Sequence, residues 1–124
     1  MRQQSTRAQR VAQMMQKELG TMIQKELKDP RIGFASVTRV EVSRDLSAAK
    51  VFISVLGSAE NSTDTMAGLE HAKGFLRGEV GRRLQLRHAP ELHFREDDSI
   101  YRSMALQRLM RTLKEDAQGS DGPT

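Results

Sequence analysis

The chain has 124 residues and no cysteine or tryptophan, with only three prolines, one tyrosine and four phenylalanines. Without cysteine, disulfides and thiolate metal sites are excluded, which fits a reducing compartment. No apolar run approaches the roughly 20 residues needed to span a bilayer. The opening MRQQSTRAQRVAQ lacks the apolar segment of a signal peptide. A soluble cytoplasmic protein is therefore expected. Phe34, Phe52, Phe75, Phe94 and Tyr101 mostly occupy apolar positions and are expected in the core, leaving no stacking platform for single-stranded nucleic acid. His71, His88 and His93 fall on different elements and make no metal motif. There is no Walker or Rossmann glycine loop, and Ser99 has no partnered base. Glu96-Asp97-Asp98 lies at an expected helix start, where acids favour the helix dipole, so capping outweighs acid–base chemistry. No catalytic residue, metal or cofactor is expected.

Positive charge is present and unevenly spread. The formal net charge is +4. Residues 1–31 hold seven Lys/Arg against three Asp/Glu, and residues 72–95 hold six against two. The segments 32–71 and 96–124 are each acidic by two charges. Cations concentrated in two segments point to a polyanion surface more strongly than the same charge evenly spread.

Helical spacing runs over residues 6–28. Ala8, Val11, Ala12, Met15, Leu19, Met22, Ile23 and Leu27 form one apolar stripe. Arg7, Arg10, Lys17, Lys25 and Lys28 fall within roughly 80° on the opposite side. A solvated helix would interleave Glu for i,i+4 pairs, yet Glu18 and Glu26 lie off this strip. Asp29-Pro30 ends the helix. Residues 35–42 alternate as a strand, with Val37 out of phase with Val40 and Val42. Residues 50–56 are rich in β-branched residues, and Ser43–Ser47 supplies turn chemistry between the two. An antiparallel hairpin follows. Gly57–Thr65 is polar and reads as a surface loop.

Residues 65–87 are helical but carry Gly68, Gly74, Gly78 and Gly81. Each interior glycine costs about 1 kcal/mol relative to alanine. They imply a kink, close packing or the close approach of a ligand backbone. Leu69, Leu76, Val80 and Leu84 keep an apolar stripe, surrounded by Lys73, Arg77, Arg82, Arg83 and Arg87. Glu91–Arg95 reads as a third strand with Leu92 and Phe94 on one face. Asp98 or Ser99 can cap a last helix to about residue 116, with Ile100, Met104, Leu106, Leu109, Met110 and Leu113 as its apolar set. Its Arg108, Arg111 and Lys114 could add RNA contacts, or the helix could simply pack on the sheet. The expected organisation is one domain over 1–116 and a disordered tail over 117–124. The fold class is α+β, with helices on one face of a three-stranded sheet.

From about residue 4 to 113 the chain resembles the bacterial ribosome-binding factor A family. The matching stretches are Arg7-Ala8-Gln9-Arg10-Val11, Lys28-Asp29-Pro30-Arg31-Ile32-Gly33, Val40-Glu41-Val42-Ser43-Arg44-Asp45-Leu46, Ala49-Lys50-Val51-Phe52-Ile53-Ser54-Val55, Gly74-Phe75-Leu76-Arg77 through Leu86-Arg87, Pro90-Glu91-Leu92 and Phe94. Their order and spacing together carry the likeness. The resemblance implies a single type II KH-like domain. It also implies a monomer that binds the 30S small ribosomal subunit and 16S rRNA, late in subunit maturation and in cold adaptation, assisting maturation of the 16S 5′ end without catalysis or cofactor. KH domains usually clamp the nucleic-acid backbone with a GXXG loop. In this family an Ala-x-Gly kink replaces that loop, matched here by Ala72-Lys73-Gly74. The literal Gly78-Glu79-Val80-Gly81 then falls inside the following helix.

The expected RNA-binding residues are Arg7, Arg10, Lys17, Lys25, Lys28, Arg31, Lys73, Arg77, Arg82, Arg83 and Arg87, with Arg44 a further extension. The first helix and the kinked helix are expected to share one face and merge their basic strips. Binding through phosphates would be salt-sensitive. The alternatives are a generic KH-type binder of other RNAs and a protein-interaction module with no RNA role.

Overall fold

The computed structural model describes residues 6–56, 59–97 and 99–120, and their side chains except at 59–60, 99–103 and 116–120. Helix α1 spans Thr6–Thr21 and buries Ala8, Val11, Ala12, Met15 and Leu19. The helix then widens. Met22–Glu26 is a π-turn, closed by the Leu27 N–H donating to the Met22 carbonyl at 3.0 Å. The helical spacing alone predicts a regular α-helix to residue 28. The wider turn keeps both Met22 and Ile23 buried, at the expense of the α-helical register of Lys25 and Lys28.

Strand β1 (Ala35–Val42) and strand β2 (Ala48–Val55) pair antiparallel, with Val40 opposite Val51. The register shifts between Val37 and Arg39. This irregularity resolves the phase problem in the sequence, because the shift brings Val37 back to pack against the core with Val40 and Val42. In the hairpin turn the Asp45 carboxylate accepts from the Ser47 hydroxyl (2.7 Å), the Ser43 hydroxyl (2.8 Å) and the Ser47 N–H (3.1 Å). Leu46 takes a left-handed φ of 62°.

Helix α2 (Ala59–His71) and helix α3 (Lys73–Arg83) carry the chain across to strand β3 (Glu91–Glu96). Strand β3 runs parallel to β2, with Phe94 opposite Val51, giving the order β1-β2-β3. The polar loop expected up to Thr65 is instead the first turns of α2. Ser62 (8% exposed) and Thr65 (1%) face inward ahead of Leu69, a helical spacing disguised by small polar residues. The break between α2 and α3 falls at Ala72 (φ −87°, ψ 1°). Hydrogen bonds continue through it, from Ala72 N–H to Gly68 O and from Leu76 N–H to Ala72 O. Helix α3 ends with Gln85 at φ 54° and the Leu86 N–H on the Gly81 carbonyl at 2.9 Å, the hydrogen bond of a Schellman cap.

Between the helices and the sheet lies one core. Met15, Leu19, Met22, Val51, Ile53, Leu69, Leu76, Val80 and Leu92 are each fully buried there. This is the arrangement of a type II KH-like domain. Gly81 is packed against Ala89, whose Cβ lies 3.0 Å from where a glycine side chain would begin, and Gly68 is closer still to Ile32 (2.7 Å). A side chain at Gly74 or Gly78 would meet open space.

Two sets of apolar residues lie outside the core expected of them. Phe34 and Phe75 are 81% and 54% exposed, not core. Phe52 is half-buried under the Arg39 guanidinium, 4.1 Å from the ring centroid, and Phe94 is buried. Helix α4 (Ser99–Ser120) runs past the expected end near 116, and residues 104–115 are all exposed, so Met104, Leu106, Leu109, Met110 and Leu113 bury little. Tyr101's side chain, residues 121–124 and the expected cap Asp98 lie outside what is described. Asp97, just before α4, accepts the Thr38 hydroxyl at 2.6 Å, and its N–H donates to the Ile53 carbonyl.

Candidate nucleic-acid interface

α1 and α3 lie side by side, which brings the two basic segments together along one seam. Two clefts mark that seam. One, of about 290 Å³, is lined by Lys17, Glu18, Arg83 and Gln85 among others. The other, of about 400 Å³, gathers Arg7 from α1, Arg77 from α3 and Arg87 from the link to β3. Arg7, Arg10, Lys17, Lys25, Lys28, Arg77 and Arg87 are exposed, and among the described residues none of them has a carboxylate within ion-pair distance.

The other four predicted cations are engaged. Arg31 meets Asp29 at 2.7 Å, Lys73 meets Glu70 at 2.8 Å, and Arg82 meets Glu79 at 2.8 Å. Arg83 is a hub. Its guanidinium reaches Glu26 at 2.6 Å, Glu79 at 3.1 Å and Glu18 at 3.4 Å, with the side chain 24% exposed. It ties α1 and the π-turn to α3. The Arg83 pairing holds the Glu26 carboxyl below its ordinary range, and Arg82 followed by Arg83 does the same for Glu79. Glu26 raises the Arg83 pKa in turn. A guanidinium enclosed by three carboxylates offers little to a phosphate, so Arg83 is a structural cation at the edge of the face.

Most of this pairing was readable. Glu70–Lys73 and Glu79–Arg82 are i,i+3 pairs and Glu79–Arg83 is i,i+4, the spacings at which helix side chains meet. The links from Arg83 to Glu18 and Glu26 depend on tertiary packing and left no local signal. The same holds for Asp45, Ser47 and His88, which line the Arg7 cleft but come from a turn and a link the sequence did not connect to α1.

Around Ala72, Lys73 is partly covered and Gly74 exposed. The Gly78–Gly81 stretch lies within α3, with Val80 buried and Gly81 packed on Ala89. Among the described residues, no helix is long and apolar enough to cross a membrane.

The sequence profile described as ribosome-binding factor A matches residues 7–110. The chain is 44% identical over 116 residues to ribosome-binding factor A of Desulfitobacterium hafniense, covering 94% of this chain and 93% of that one. The solution NMR structure of a candidate ribosome binding factor A from Thermotoga maritima superposes with a TM-score of 0.66 at 35% identity, over 78% of this chain and 92% of that one. Thermus thermophilus ribosome binding factor A, as a homology model fitted into the cryo-EM map of a complex with 30S, superposes with a TM-score of 0.59 at 26% identity. That match covers 70% of this chain and 91% of the other.

Proposed function

The chain belongs to the ribosome-binding factor A family, and from that premise we propose that it is a cytoplasmic, non-catalytic factor that docks on the free small ribosomal subunit. It contacts 16S rRNA through the α1–α3 face and assists late maturation of the subunit, including its 5′ end, and growth in the cold. The observation that carries this reading is the seam between α1 and α3, whose two clefts gather Arg7, Lys17, Arg77 and Arg87, four of the seven exposed cations that have no carboxylate partner among the described residues. The Thermus relative, fitted into a map of a 30S complex, supports the choice of partner. The mechanism is one of binding energy. Phosphate contacts position the protein and release condensed counterions, and no bond is made or broken.

Co-sedimentation with free small subunits and with joined ribosomes across a salt series tests this. Binding should favour free subunits. With seven available cations the slope of log K against log salt should lie near −5 to −6 (roughly −0.7 to −0.9 per phosphate neutralised). If all eleven predicted cations bound phosphate, the slope would approach about −10. The pair Arg10→Glu and Lys17→Glu should abolish binding at moderate salt. Absence of binding at low salt overturns the proposal.

A further inference from the structure

We propose that the cleft between the start of α1, the β1–β2 turn and the α3–β3 link is a seat for a single phosphate group of an RNA backbone. This rests on the reading above and goes beyond it by naming one discrete subsite on the face. Three arginines, Arg7, Arg77 and Arg87, open onto a concavity of about 400 Å³ whose wall includes Asp45, Ser47 and His88. The three guanidiniums against one carboxylate leave an excess of positive charge. A cleft lined by one sign of charge focuses potential where a flat surface spreads it.

The walls are set before any ligand arrives. Arg77 Nε and Nη2 both donate to the Ala89 carbonyl, at 3.2 and 3.0 Å. That fixes the guanidinium plane and uses two of its five donors, leaving the rest for an anion. Ala89 is held by its close packing against Gly81. On the opposite wall, the Asp45 carboxylate is bonded into its own turn by Ser43 and Ser47. The Ser47 carbonyl accepts from the Glu91 N–H at 2.9 Å, tying that turn to β3. Arg7 and Arg87 have no carboxylate partner among the described residues and supply the movable charge. A phosphate can take paired N–H donors from such arginines. Lys17 lines the smaller cleft of about 290 Å³, but there it stands beside Glu18 and the acid-held Arg83.

The test uses the intact chain and two independent readouts. First, inorganic phosphate is titrated into 15N-labelled protein. Saturable amide shifts should centre on Ser47, Arg87 and His88 and weaken in Arg87→Gln. Diffuse, non-saturating shifts over all basic segments would overturn the seat. Second, Arg7→Gln and Arg87→Gln are compared with Lys25→Gln for small-subunit binding across salt. Each cleft variant should flatten the slope by about 1 and weaken binding several-fold more than Lys25→Gln. Wild-type binding with cleft variants no weaker than Lys25→Gln would overturn the seat while leaving the basic face intact. Loss of wild-type binding would instead strike the proposed function, and the phosphate titration would still decide the cleft. The 15N spectra report whether each variant is folded.

Discussion

Single residues of one type do opposite jobs in this chain. At Gly68 the Ile32 side chain stands where a Cβ would go, and at Gly81 Ala89 crowds one at 3.0 Å, whereas Gly74 and Gly78 face open space. The helix penalty of glycine is therefore offset by packing at the first two and by nothing within the chain at the others. Gly78→Ala should stabilise the protein by about 0.5–1 kcal/mol. Gly68→Ala should destabilise it, by about 1–3 kcal/mol, because Ile32 Cγ1 sits where the methyl must go. Urea midpoints for the two variants check the opposite signs.

At the scale of elements, α1 and α4 differ in what their apolar residues achieve. The α1 stripe is buried as the periodicity required. In α4 every described side chain from 104 to 115 is exposed. Ending the chain after Ser103 should therefore change stability by less than about 1 kcal/mol, measured by thermal and urea unfolding against the full chain. A larger loss would mean that α4 is covered in solution. The contrast also marks how far the sequence could be read. Periods and stops gave the order of elements, the hairpin and the core stripes, since those depend on neighbours in the chain. Two features were not legible, the π-turn at Met22–Glu26 and the helical start of α2 behind Ser62 and Thr65, and the strand shift at Val37–Arg39 showed only as Val37 falling out of phase. Each is a local departure imposed by packing. For the site, the list of basic residues was legible, but not the sorting into free and engaged cations. Lys73 and Arg82 have acids at helical spacing and Arg31 has Asp29 two residues away, but the capture of Arg83 by Glu18 and Glu26 depends on packing across the seam.

For the whole molecule, carboxylates bonded in the folded state set the response to acid. Asp29 is held at about 2, from an ordinary 3.8, chiefly by the Arg31 side chain. Asp45 is likewise held at about 2, by the Ser47 hydroxyl, the Ser43 hydroxyl and then the Ser47 N–H. A depressed folded pKa means the unfolded chain takes up the proton first. The contribution is therefore complete above the unfolded value near 4 and lost as pH falls toward 2. Stability should accordingly decline through that window. Asp45→Asn should unfold earlier than wild type at pH 5 and converge with it near pH 2, as read from urea midpoints at each pH.

The parallel pairing of β2 with β3 also has a consequence for how the chain is made. During synthesis the hairpin and α1 leave the ribosome first, and β3 follows only after the whole α2–α3 crossover. Until Glu91–Glu96 emerges, β2 has one neighbour, and the backbone groups of Ala48–Ile53 on its other side are an open edge. Such an edge recruits strands from other chains. The nascent protein is thus most exposed to misassembly in the interval before its last strand closes the sheet.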